Sequence, residues 1–336
     1  MPLYRSRLYE SSPGDSPTPP YRARGWTADL RPLEVVADHV GTAPAEANKR
    51  GHMRNIIHSE TLDDGRLRTV YAPEIVITAQ NRLTAQRAVN LITAAKVLMY
   101  GDFTSGDPTV ATPDDPEELE DLSMYEYQLG SSVCAPGYAT ATRIAAKATQ
   151  KRKWAHALIK HWLSLRTCST PTIEQHPHYG ERFTVEQDPF NHAVMSQAII
   201  AAFSAIEELG LEVRAGPDRP SKINGRWNPP VLDDLERRQV KAKVNPEGLV
   251  PWLVRSPPTR IERRYSLPHG QPASWARYSV RDRMVRIPDA IHRAGLLRSR
   301  VSSHRMHSLT RSLTIYDVVN VQGLARHLLT DIFEWP

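Results

Sequence analysis

Hydrophobic and polar positions alternate with a period near two from about residue 56 to residue 79, and recur at helical spacing in several later stretches. The first stretch reads I-I-H-S-E-T-L, a turn at Asp63, Asp64 and Gly65, then R-L-R-T-V-Y-A and E-I-V-I-T-A. Asp-Gly between alternating segments predicts a hairpin, with a further strand after it. A helix is expected next, over about residues 84–100. Ala88, Leu91, Ile92, Ala95 and Leu98 share one face there, and Gly101 offers a C-cap.

Beyond about residue 138 the pattern is helical. Trp154, Leu158, Ile159, Trp162 and Leu163 line one face of a helix that ends near Arg166. Asp188 followed by Pro189 predicts an N-cap and a first helical residue. The helix after them is apolar on most sides around Ala198 to Phe203, as expected of a central helix, and carries Glu207 and Glu208 at its far end. Structural pairing with later arginines is the expected role of these two acids. A short charged helix is expected over 232–243, and residues 251–288 show no sustained pattern. Two helical pieces close the chain. The first holds Ile287, Ala290, Ile291, Ala294, Leu296 and Leu297; the second holds Val318, Val321, Leu324, Ala325 and Leu328.

These patterns predict a mainly α protein: a helical domain over 138–336 and a smaller α+β region over 51–137 that ends in an acidic linker. Residues 1–50, rich in Pro, Ser, Arg and Ala without periodicity, read as an extended or partly disordered tail.

Composition narrows the chemistry. A net charge of +6 favours acidic partners, of which nucleic acid is the most common, without excluding an ordinary enzyme. Two cysteines, Cys134 and Cys168, exclude a disulfide framework and argue against a cysteine-held zinc. His176 and His178 lack a third donor nearby, so no metal or other cofactor is expected. The N-terminus lacks the apolar core of a signal peptide, and no apolar run is long enough to span a bilayer. A soluble cytoplasmic protein with no membrane contact is expected. Nucleotide-binding glycine loops, H-E-x-x-H and G-x-S-x-G are all missing from the sequence. A basic loop, P-D-R-P-S-K-I-N-G-R-W-N-P-P, sets Trp227 between Lys222, Arg226 and prolines. Its indole could stack on a base, although pinning the loop to the helices is the expected role.

The stretch D-A-I-H-R-A-G-L-L-R-S-R-V-S-S-H-R, from Asp289 to Arg305, holds an arginine and a histidine six residues apart, Arg298 and His304, with no acid between them. On a continuous helix that spacing offsets the two side chains by about 120°. Arginine suits a phosphate and the extra charge of its transition state, and histidine moves a proton near neutral pH. RNA brings its own nucleophile, the 2′-hydroxyl. An arginine and a histidine therefore suffice in principle to cleave it without metal, leaving a 2′,3′-cyclic phosphate and a 5′-hydroxyl.

L-L-R-S-R-V-S-S-H, late in a helical region and followed by an amphipathic helix, resembles the signature of the HEPN-domain family. The resemblance covers roughly residues 138–336, and its specificity lies in the motif. Spacing alone carries little: the family's arginine and histidine are separated by four to six residues, and Arg286 with His292, Arg264 with His269, and Arg300 with His307 satisfy that too. Leu296 and Leu297 before the arginine, Ser299 after it and the terminal helix behind are the features that single out Arg298 and His304. Arg305 stands where relatives often carry a small residue. The resemblance implies a HEPN-like helical bundle in which Arg298 binds phosphate and His304 is the acid/base, with Ser299, Arg300 and Arg305 in contact with substrate. It further implies RNA as the partner, a homodimer that builds a composite site, and a toxin–antitoxin or phage-defence setting with an antitoxin or other defence protein nearby. A non-catalytic helical module that binds nucleic acid or a protein is the alternative.

Overall fold

The computed structural model describes residues 1–15, 17–37, 56–101, 111–113, 133–168, 189–256, 279–301, 313 and 315–334. The chain divides into two compact units, Met1–Leu158 and Ile159–Pro336.

The first unit is organised on a sheet. Its elements are β1 (Leu3–Glu10), β2 (Tyr21–Ala23), β3 (Trp26–Ala37), β4 (Ile56–Thr61), β5 (Leu67–Ala79), α1 (Arg82–Tyr100), β6 (Thr112–Pro113), β7 (Val133–Ala135) and α2 (Tyr138–Ala148). Seven strands join in the order β2-β3-β5-β1-β6, with β4 added on β5 and β7 on β1. The β1–β7 pair is parallel and the other pairs are antiparallel. This mixed sheet overturns the mainly α, HEPN-like reading of the fold class. Three of its strands come from the segment read as an extended or partly disordered tail.

The reason lies in what the strands bury. β1 reads L-Y-R-S-R-L-Y-E, and Ser6, Arg7 and Glu10 are as buried as Leu8 and Tyr9, so no apolar alternation marks it. Two of these buried polar positions are answered by partners distant in the chain. The Glu74 carboxylate accepts from the Arg7 backbone N–H at 3.1 Å and pairs with Arg5 at 3.1 Å. The Glu10 carboxylate accepts from the Gly137 and Ala139 backbone N–H groups at 2.9 and 2.8 Å, which caps the start of α2. Arg7 takes a left-handed φ of 59° where the register between β1 and β5 shifts, as an extra residue in a bulge does. Pro32 and Pro73, which lack an N–H for the ladder, fall together where β3 and β5 shift register.

The predicted hairpin is present. β4 and β5 pair across Gly65, whose φ is 83° and whose N–H donates to Leu62 O at 2.9 Å. β5 continues through the second predicted strand as one element. α1 begins where Asn81 Oδ1 accepts from Thr84 N at 2.9 Å and ends at Gly101, at φ 71°. α1 and α2 pack on each other and on the sheet. The buried Lys96 ammonium donates to Pro136 O and lies 3.8 Å from the centre of the Tyr100 ring.

α3 (Arg152–Thr167) starts in the first unit and ends in the second. The second unit then holds α4 (Pro189–Glu208), β8 (Lys222–Ile223), β9 (Arg226–Trp227), α5 (Pro229–Lys241), β10 (Leu249–Ser256), β11 (Ser279–Arg286), α6 (Ile287–Val301) and α7 (Ile315–Phe333). α4 packs on both α6 and α7, and it buries Met195, Ala198, Ile199, Ala202, Phe203, Ala205 and Ile206. That is the central helix its all-round apolarity predicts. Asp188, its expected N-cap, lies outside the described residues.

The stretch without a sequence pattern holds a two-stranded antiparallel ribbon, β10–β11, in unbroken register from Leu249↔Arg286 to Ser256↔Ser279. β11 runs directly into α6. Asn320 of α7, buried, accepts from Leu253 N at 2.7 Å and donates to Leu253 O at 2.9 Å, so a side-chain amide satisfies the ribbon's backbone. Among the described residues no helix is long and apolar enough to cross a membrane.

Candidate functional site

The candidate motif lies on α6. Ile287 N donates to Gly248 O at 3.0 Å where the helix begins, and Ile287, Ala290, Ile291 and Ala294 are buried. At about 100° per residue, Arg298 falls on the same core-facing side as Ala294, one turn further on. Asp289, His292, Arg293, Leu296, Ser299 and Arg300 share the other side. Leu296, Ser299 and Arg300 are exposed there.

Gly295 explains why Arg298 meets α4. A Cβ on Gly295 would come within 3.2 Å of the Phe203 ring, so the ring seats against bare helix backbone. One turn beyond that contact on both helices, an Arg298 terminal nitrogen stands 3.5 Å from Glu207 Oε1. The two side chains remain 39% and 34% exposed. Arg298 Nε is shielded from solvent and has no hydrogen-bond partner among the described residues. The pairing expected of Glu207 is therefore present, whereas Glu208 pairs with Lys160 at 2.7 Å.

The predicted site residues divide accordingly. Arg298 is turned towards α4, while Ser299 and Arg300 lie on the opposite, solvent side of α6. Ser299 Oγ donates to Gly295 O at 2.9 Å, the back-bond of a helical serine. His304 and Arg305 lie outside the described residues, as do His176, His178, Arg264, His269 and His307. Arg286, a rival arginine by spacing, is bonded to Glu236 and Glu247.

A cluster that arginine–histidine spacing does not reveal occupies the start of α6. Trp227 Nε1 donates to Asp289 Oδ1 at 2.9 Å, and the Lys222 ammonium lies 3.3 Å from the same oxygen. Ser221 Oγ and His292 Nε2 are 2.9 Å apart, and the Trp227 and His292 rings meet edge to face at 5.2 Å. Burial, then the neighbouring Lys222 charge, push the His292 pKa below its ordinary value, so the ring is neutral at pH 7. The loop around Trp227 is thus pinned to a helix, as its sequence suggests. The sequence signal for the rest was Asp289, the one acid of α6, beside a histidine.

Among the described histidines, His161 of α3 is the most perturbed. It is 1% exposed, and neither ring nitrogen has a hydrogen-bond partner among the described residues. Desolvation, with the Arg326 charge in support, lowers its pKa to about 3. An imidazole sealed in this way exchanges no proton with a substrate. Burial also pushes the Cys168 thiol up, away from a reactive thiolate. No three His, Cys, Asp or Glu side chains converge as metal ligands among the described residues.

No protein-family model matches the chain, and no curated protein or solved structure is detectably similar to it.

Proposed function

We propose that the chain is a metal-independent endoribonuclease of the HEPN type that acts as a homodimer, with Arg298 binding the scissile phosphate and His304 moving the proton. His304 takes the proton of the RNA 2′-hydroxyl, and the 2′-oxygen forms a bond to phosphorus. The 5′-oxygen of the next nucleotide leaves with a proton, so that the products are a 2′,3′-cyclic phosphate and a 5′-hydroxyl. Arg298 offsets the charge that builds on the phosphoryl oxygens.

The observation that carries this reading is the state of Arg298. It sits on the last turn of α6, where among the described residues it has one long ion pair and its side chain is partly exposed. A single pair at 3.5 Å leaves donors of the guanidinium fork for a second, bidentate anion. His304 lies three residues beyond the helix end at Val301 in the chain.

The same ion pair favours a second reading, a non-catalytic module that binds nucleic acid or a partner protein. There Arg298 and Arg300 answer the negative end of the α6 dipole, and Glu207 holds the former in place.

Incubation of purified protein with mixed RNA in EDTA separates the two. The ribonuclease reading expects cleavage that survives chelation and leaves cyclic phosphate ends. His304→Ala should abolish turnover and keep RNA affinity, while Arg298→Ala should lower both. No cleavage by the wild type at concentrations that permit dimerisation would sink this reading in favour of the binding module.

A further inference from the structure

The first part of β5, Leu67 to Tyr71, is flanked by β3 on one side and by β4 on the other. β4 pairs with β5 alone, so among the described residues its second edge carries no strand. Ile56, Ile57, His58, Ser59 and Thr61 of β4 are all exposed. Strand parity decides which of its backbone groups lie open. Leu62 N donates to Arg66 O at 2.8 Å where the hairpin closes, so Leu62 faces β5. Glu60 and His58 face it likewise, in the unbroken register Glu60↔Arg68 and His58↔Val70. The N–H and C=O groups of Ser59 and Thr61 therefore point away from β5, at the open edge.

An open edge accepts a further strand, and the charges on it decide which strand fits. His58 and Glu60 share one face of β4. His58 Nε2 stands 3.4 Å from Glu60 Oε2, and Arg68 bonds both Glu60 and Glu34 at 2.8 Å. The bonds from Arg68, then His58, hold the Glu60 pKa below its ordinary value, so its carboxylate is ionised at pH 7. When two β4 strands pair antiparallel, outward-facing residues must meet outward-facing residues. The two-fold registers that achieve this over most of the strand are centred on His58, Ser59 or Glu60. Centring on Glu60 sets two carboxylates directly opposite, which destabilises the pair. Centring on His58 sets two imidazoles opposite and leaves each Glu60 opposite Ile56. Centring on Ser59 sets each His58 opposite Glu60 of the other strand, at the positions where side chains lie closest. An imidazole N–H donates to a carboxylate in either protonation state.

We infer that β4 pairs antiparallel with β4 of a second copy of this chain, about a two-fold axis at Ser59, so that the two sheets join into one. Charge complementarity selects a second copy as the occupant, because one strand supplies both the acid and the group that answers it. The row Glu34, Arg68 and Glu60 then continues into His58 of the second copy, and the two Ser59 backbones bond reciprocally at the axis. The contact belongs to the first unit and does not depend on the chain cleaving RNA.

Sedimentation equilibrium and cysteine cross-linking test the pairing on the full chain. Ser59→Pro removes an N–H that points away from β5, so it blocks the edge and spares the β4–β5 ladder. The wild type should associate, and Ser59→Pro should weaken that association at least about tenfold through the reciprocal hydrogen bonds lost at the axis, with its thermal midpoint unchanged. Ser59→Cys should form a disulfide between copies under mild oxidation, because the paired Cα atoms would lie about 5.5 Å apart. Thr61→Cys should cross-link no more than the wild type, whose Cys134 and Cys168 set the blank, since its two copies would lie about 13 Å apart along the strands. A monomeric wild type would overturn the pairing. So would a folded Ser59→Pro protein that associates like the wild type, although the ribonuclease reading would then stand with its dimer built elsewhere. Cross-linking at Thr61→Cys in place of Ser59→Cys would overturn the register. If Ser59→Pro fails to fold, the two cysteine variants decide. Cross-linking at Ser59→Cys in a protein that cleaves no RNA would support the pairing and remove the ribonuclease reading alone.

Discussion

Acidification should destabilise the second unit through His161. An unfolded histidine titrates near 6.5, whereas burial and Arg326 hold the folded His161 near 3. Between those values the unfolded chain binds the proton and the folded one does not. Stability from this group is therefore complete above pH 6.5 and is lost as pH falls towards 3. Integrating the two titrations from pH 7 to pH 5 gives a loss of about 2 kcal/mol from this one side chain. His161→Leu removes the titration and two buried nitrogens that lack partners among the described residues, at similar volume. The variant should match or exceed wild-type stability at pH 7 and lose about 2 kcal/mol less on going to pH 5. Urea denaturation at the two pH values reports the difference, with emission from Trp162, the next residue on α3, among the signals. Equal losses in wild type and variant would show that His161 finds a proton partner in the folded state, and would refute the reasoning.

Two further changes test the helix contact and the sheet unit. Glu207→Gln removes the acid that competes for Arg298, so RNA affinity should rise, with a stability change below about 1 kcal/mol because the pair is partly exposed. Lower RNA affinity in a folded Glu207→Gln protein would mean that Glu207 positions the arginine rather than competing with phosphate. Gly137→Ala should destabilise the first unit by about 1–3 kcal/mol, seen as a lower midpoint in thermal unfolding. Its φ of 88° disfavours a side chain, and the new Cβ would lie 3.0 Å from Tyr100 Oη and 3.1 Å from Met99 Cε. An unchanged midpoint would show that α2 can shift to accommodate the methyl.

How legible each element is in the sequence depends on where it hides its polar groups. α1, α4 and α7 bury apolar side chains on periodic faces and are readable as helices. β1 buries Arg7 and Glu10; the Arg7 backbone N–H donates to Glu74 and the Glu10 carboxylate accepts from the start of α2, partners 67 and 127 residues or more away. No local window contains that information, so the strand looks like a tail. The ribbon β10–β11 is hidden for a related reason. Its two strands are separated by more than twenty residues, and part of its polar backbone is satisfied by Asn320, far along the chain.

The candidate site shows the same limit in sharper form. Spacing places Arg298, Ser299 and Arg300 together, as neighbours in sequence that would meet one substrate. Helical geometry separates them, because a step of one residue turns the side chain by about 100°. Arg298 joins Ile287, Ile291 and Ala294 on the core side, where it meets Glu207. Ser299 and Arg300 join Asp289, His292 and Arg293 on the solvent side. An RNA strand that touches both sets must pass the C-terminal end of α6, where the two sides converge as the helix stops at Val301. If the ribonuclease reading holds, Arg298→Ala should lower RNA affinity and turnover together, because its guanidinium would meet the scissile phosphate.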